Sequence, residues 1–128
     1  DFDEIQEHNL DRLVIGTRED VSKLKVNVAK ERMRDVATAQ AINIDAIPYS
    51  VAEEIGYAAA LDCDVLFSCV DRPRARQILN HFAYAHLIPV IDGGIAVRFK
   101  NEKFSGVDWQ LQTVGPGRPC LECLGCFT

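Results

Sequence analysis

Little in this sequence suits a nucleic-acid or membrane protein. There is no basic stripe and the net charge is −5, which argues against binding to a phosphate backbone. No apolar run approaches the roughly 20 residues that a membrane helix needs. The opening Asp1-Phe2-Asp3-Glu4-Ile5-Gln6 lacks the basic start and apolar stretch of a signal peptide. It also lacks an initiator Met, so we expect the chain to be cut or disordered upstream of Asp1 and the domain to be incomplete at both ends. Repeats, low-complexity tracts and linkers are missing too, which leaves a single domain over residues 1–128 as the expected organisation.

What remains is an ordinary globular composition. Apolar residues make up 48% of the 128 and charged residues 26%, enough for one domain with a real core. An acidic balance of this kind suits solubility and, in a partner, a basic patch. Of the five cysteines, Cys63 and Cys69 flank an apolar run and are expected as buried thiols. Cys120, Cys123 and Cys126 cluster near the end. Nothing indicates secretion, so metal binding is a better first reading of the cluster than a disulfide framework.

Periodicity supplies the elements. Residues 1–16 are expected to leave a strand and form a loop. Thr17 and Asp20 have capping-box spacing, and Val21, Leu24, Val28, Met33 and Val36 follow at helical intervals, predicting a helix from Thr17 to about Val36. In that helix Lys25 falls in the second turn, opposite the apolar stripe. Ile42–Ile47 alternates as a strand. Ser50 and Glu53 form a second capping box before a short helix carrying Val51, Ile55 and Ala58 on one face. Asp64–Val70 is a continuous apolar run that suits a parallel strand covered on both faces. Asp71 then stands at a helix N-cap position with Pro73 in the first turn, and the helix runs to about His86. Ile88–Ile91 is a short strand closed by Asp92-Gly93-Gly94, which we read as a turn that could also approach a ligand. Ile95–Phe99 and Val107–Val114 form a hairpin, and Gly115-Pro116-Gly117 a turn. The alternation predicts an α/β fold with a mainly parallel sheet and right-handed crossovers. Ligands in such sheets bind at the carboxyl ends of strands, which singles out Asp1–Asp3, Asp71 and Asp92–Gly94.

Each candidate has a plain alternative. Asp1 could hold ribose hydroxyls and Asp3 could reach a metal, or both could be acids of an exposed loop. Arg12 and Lys25 are the kinds of cation that triphosphate recognition uses, or solvated surface charges. Asp71 could hold Mg²⁺ against phosphates, or simply cap a helix. Cys120-x-x-Cys123 has the spacing of half a structural zinc site, although a reactive thiol or an iron–sulfur ligand uses similar runs. His8, His81 and His86 are scattered and are read as structural.

Taken in order, Asp1-x-Asp3, then Asn9-Leu10-Asp11-Arg12, Asp20-Val21-x-x-x-Lys25, Cys69-Val70-Asp71, Ile91-Asp92-Gly93-Gly94 and Pro119-Cys120-x-x-Cys123 resemble the ThiF/HesA/MoeB family of adenylating domains, related to ubiquitin-activating enzymes. The resemblance spans essentially the whole chain. It implies a Rossmann-like sheet with helices on both faces that binds ATP and Mg²⁺ and adenylates the C-terminal carboxylate of a small ubiquitin-fold or sulfur-carrier protein. In that family the position of Asp1 meets the ribose and that of Asp3 lies by the metal. Asn9, Arg12 and Lys25 match the positions that handle phosphates in the family, Asp71 matches its acid for Mg²⁺, and Cys120 and Cys123 match one half of its Zn²⁺ site. A homodimer in the cytoplasm is also implied, with no nucleic-acid or membrane partner. This sequence departs from the family at Leu13, at Ser22 in place of a common Gly and at Arg72 where Asn is frequent; the glycine-rich loop that should precede Asp1 and the second cysteine pair are not in it. Two other readings are a non-catalytic partner subunit and an NAD-dependent Rossmann dehydrogenase.

Overall fold

The computed structural model describes residues 1–126. They form three α-helices, α1 (Lys25–Val36), α2 (Glu54–Leu61) and α3 (Pro73–Ala85), and three strands, β1 (Leu66–Ser68), β2 (Val90–Lys100) and β3 (Lys103–Val114). Two single 3₁₀ turns, Glu7–Asn9 and Arg18–Asp20, precede α1. The chain divides into two compact units, Asp1–Gly56 and Tyr57 onward.

In the first unit, residues 3–5 lie beside residues 22–25. Ile5 N–H donates to the Lys23 carbonyl (2.9 Å), Ser22 N–H to the Ile5 carbonyl (2.8 Å) and Lys25 N–H to the Asp3 carbonyl (2.9 Å). Ile5 and Val28 are the buried apolar side chains here. The expected Thr17–Val36 helix is broken in two. Thr17 and Asp20 do close a capping box, but around one turn only. Ser22 then takes a left-handed backbone, φ 72°, which an α-helix cannot contain, and α1 begins afresh at Lys25. Lys25 is therefore the first residue of its helix and not a second-turn surface residue. Ile42–Ile47 forms no ladder among the described residues, because alternation selects a face while a strand also needs a neighbour to bond. The second capping box forms, with Ser50 N–H donating to Glu53 Oε2 (2.7 Å). Beyond it Gly56 is required: a Cβ there would lie 2.1 Å from the Ser50 carbonyl oxygen.

In the second unit β1 pairs in parallel with β2, and β2 pairs antiparallel with β3. The sheet order is β1-β2-β3. The parallel pairing is the one expected from the strand–helix–strand pattern, with α3 as the crossover. Leu79, Phe82 and Ala83 bury one stripe of α3, together with Val90, Val114 and Leu121. Tyr57 packs edge-on to Phe82 with centroids 5.0 Å apart, and its hydroxyl lies 2.6 Å from His86 Nε2.

Four local expectations are corrected here. Asp92-Gly93-Gly94 is no turn. β2 runs straight through it, and the hairpin reverses at Asn101 and Glu102, both left-handed, as a two-residue reversal requires. The N-cap of α3 is Arg72 and not Asp71. Phe67 in β1 is 70% exposed, so this strand is not covered on both faces among the described residues. Cys63 and Cys69 are likewise exposed.

Candidate functional site

The sequence candidates of the first unit gather at the entry to α1. Asp1 Oδ1 accepts the Asp3 N–H (2.9 Å), forming a local turn that fixes the Asp3 backbone. Asp3 Oδ2 accepts a hydrogen bond from Lys25 Nζ at 3.0 Å. The Lys25 side chain is only 25% exposed and Asp3 half exposed. A lysine in the first turn of a helix stands where the helix dipole is already positive. Two like charges of this kind favour an anion nearby, and the Asp3 carboxylate supplies one.

Asn9 and Arg12 sit on the preceding 3₁₀ turn and its exit. Asn9 Oδ1 accepts the Gln6 N–H (3.2 Å). Arg12 Nη1 donates to the His8 carbonyl (2.8 Å) and pairs with Asp11 (2.9 Å), with the side chains of both partners well exposed. An exposed pair of this type contributes little, about 0–1 kcal/mol, so the guanidinium can exchange Asp11 for another anion at small cost.

Asp20, which has capping-box spacing in the sequence, is a buried carboxylate. It accepts from Lys23 Nζ (2.8 Å), from Thr17 Oγ1 (2.8 Å) and from Thr17 N–H (3.0 Å), with Arg32 Nη2 at 3.5 Å. These donors, Lys23 foremost and then Thr17, hold its pKa well below the usual carboxylate range.

In the second unit Asp71 is exposed on the loop between β1 and α3. Its hard oxygen donors are suited to Mg²⁺. Nearby in the same unit lies a polar network that sequence reasoning missed. Asp92 is fully buried in β2 and accepts from Ser68 Oγ (2.6 Å) and Arg76 Nε (3.1 Å), with a second bond from Arg76 Nη2. Asp92 in turn raises the pKa of the guanidinium. Gly94 leaves room for Arg76, whose Nη2 would lie 3.1 Å from a Cβ there. Pairing a buried acid with a fork-shaped cation in this way avoids an uncompensated charge.

Cys120 and Cys123 lie on a turned segment after β3. Their Sγ atoms are 3.1 Å apart, and Cys123 N–H donates to Cys120 Sγ (3.3 Å). The hydrogen bond from the Cys123 backbone, and then the one shared between the two thiols, lowers the Cys120 thiol pKa; the shared bond raises that of Cys123. Two adjacent sulfur donors fit half of a tetrahedral zinc site. No group of three or more metal-ligating side chains occurs among the described residues. Cys126 stands apart, with Sγ accepting from Gln110 Nε2 at 2.7 Å.

Thus the structure joins Asp1 to Asp3, Asp3 to Lys25, and Cys120 to Cys123. Asn9 and Arg12 make bonds of their own. Arg76 carries no sequence motif; its signal was only the i, i+4, i+8 spacing of Arg76, Asn80 and Tyr84.

The chain resembles a crystal structure of E. coli MccB with ATP, with a TM-score of 0.70 and 22% identity, covering 98% of this chain and 35% of that one. This likeness makes the fold Rossmann-like α/β. Over 93 residues it is 29% identical to an adenylyltransferase and sulfurtransferase, UBA4, of Meyerozyma guilliermondii, covering 73% of this chain. The chain spans about a fifth (22%) of the length of that relative. The ThiF family profile matches residues 1–127, and the chain belongs to the ThiF family.

Proposed function

We propose that this chain is the nucleotide-binding part of an ATP- and Mg²⁺-dependent adenylyltransferase acting on the C-terminal carboxylate of a small ubiquitin-fold or sulfur-carrier protein. The observation that carries the reading is the Asp3–Lys25 pair at the entry to α1, in a chain matched to the ThiF family almost end to end. The position of Lys25 at a helix start supports this reading, in which phosphate oxygens take over from the Asp3 carboxylate. The names of the relatives, an adenylyltransferase and an ATP-bound MccB, point the same way.

In this reading Asp1 meets the ribose, while Asn9, Arg12 and Lys25 contact phosphates. Asp3 and Asp71 would hold Mg²⁺, which when bound neutralises phosphate charge. The substrate carboxylate is ionised at neutral pH and needs no general base. Its oxygen bonds to the α-phosphorus, the bond from that phosphorus to the bridging oxygen breaks, and pyrophosphate leaves. The protein's part is positioning and charge neutralisation. Cys120 and Cys123 would supply half of a structural Zn²⁺ site. A cytoplasmic homodimer, with one nucleotide-binding domain over residues 1–128, completes the proposal.

Calorimetric titration with ATP, with and without Mg²⁺, tests it alongside Asp71→Ala and an NAD control. Mg²⁺-dependent binding weakened at least roughly tenfold in the variant is expected if the carboxylate holds the ion. No ATP binding would leave an inactive subunit or a missing partner, and NAD binding in its place would assign the chain to the dehydrogenases.

A further inference from the structure

Three polar side chains one turn apart on α3 grip the cysteine segment by its backbone. Arg76 Nη1 donates to the Cys126 carbonyl (3.3 Å), Asn80 Oδ1 accepts the Leu121 N–H (2.8 Å), and the Tyr84 hydroxyl donates to the Arg118 carbonyl (2.9 Å). The spacing i, i+4, i+8 places all three on one helix face. Asn80 and Leu121 are buried, at 2% and 0% exposure. Arg76 is itself locked by Asp92. The turn carrying Cys120 and Cys123 is therefore held at its start, middle and end by groups that are not thiols.

Inside that turn the two sulfurs stand 3.1 Å apart, Cys123 exposed and Cys120 partly so. A disulfide needs about 2.05 Å between sulfurs, so closure requires a movement of only about 1 Å. We propose that the α3 ladder presents Cys120 and Cys123 as a preorganised dithiol that, when free of metal, exchanges with small-molecule disulfides. One of the pair, as thiolate, attacks a sulfur of the small disulfide. A mixed disulfide forms and one small thiol departs. The second cysteine loses its proton and attacks the protein sulfur of the mixed disulfide, expelling the second small thiol. Two protein thiols are oxidised and one small disulfide is reduced to two thiols. The ladder matters because fixing the backbone raises the effective concentration of the second thiol. Nothing in this chemistry depends on adenylation, so either proposal can fail without the other.

The full chain, stripped of metal with a chelator, is equilibrated in mixtures of oxidised and reduced glutathione. It is then alkylated and mapped by mass spectrometry. An internal Cys120–Cys123 disulfide is expected, while the exposed Cys63 and Cys69 take up only glutathione adducts and serve as internal controls. Asn80→Leu keeps the volume but removes the acceptor, and should lower the effective concentration of the pair roughly tenfold, the scale of one lost buried hydrogen bond. Since a buried substitution can impair folding, Tyr84→Phe, which removes one hydroxyl, is measured beside it and should lower the value about threefold. Glutathione adducts on Cys120 and Cys123 without closure, or closure unchanged in both variants, would overturn the proposal.

Discussion

Ser22 shows how much a single backbone angle decides. Its φ of 72° costs an L-residue about 1–2 kcal/mol, whereas glycine adopts it freely but loses about 0.5–1 kcal/mol of chain entropy. The Ser22 N–H bond to Ile5 would survive in glycine. Ser22→Gly should therefore stabilise the chain by about 0.5–1 kcal/mol, raising Tm by a few degrees on the scale expected for a domain of this size, as differential scanning calorimetry would show. Asp20 makes a pH prediction. Its folded-state pKa is depressed below the ordinary 3.8, so its contribution is fully present above the unfolded value and falls away as acid protonates the folded carboxylate. Urea unfolding of the wild type and Asp20→Asn should differ by a constant amount above about pH 5, and the gap should narrow steadily as the pH falls below the ordinary carboxylate range. A gap that persists in strong acid would show that Asp20 acts by shape and not by charge.

At the scale of elements, the sequence announced what lies in local spacing. α3 was expected to end near His86 and ends at Ala85; the Thr17/Asp20 and Ser50/Glu53 boxes both form. The errors fall where local spacing competes with a distant partner. Ser22 interrupts a good helical period because residues 22–25 pair with residues 3–5, and no period reveals that. Asp92-Gly93-Gly94 has turn composition, yet the pairing of β2 with both β1 and β3 holds it extended. Lys25 is a candidate phosphate ligand by its residue type and by the family resemblance. Its place at the start of α1, opposite Asp3, became visible only when the helix proved to begin there. Arg76 stayed hidden because its partners, Asp92 and the Cys126 carbonyl, are 16 and 50 residues away.

For the molecule as a whole, the hairpin presents an unusual surface. Ile95 faces Trp109, Val97 faces Val107 and Phe99 faces Phe104 across the ladder. All six are exposed, Trp109 at 80% and Ile95 at 77%. A contiguous apolar face of this size marks an association surface more often than a wet one, and it supports the homodimer proposed above. Trp109→Glu should shift the mass measured by light scattering at micromolar concentration from dimer to monomer. A wild type that is already monomeric there would remove the dimer from the proposal.

The central position of β2 also orders the assembly of the sheet in time. Its pairing with β3 closes across two residues, whereas its pairing with β1 joins Ser68 to Asp92 across 24. Short closures cost less chain entropy and form sooner. The hairpin is thus the natural nucleus, and β1 is laid against a ribbon that already exists. The Arg76–Asp92 pair, which spans helix and strand, is then a late contact, whose loss would quicken unfolding more than it slows folding.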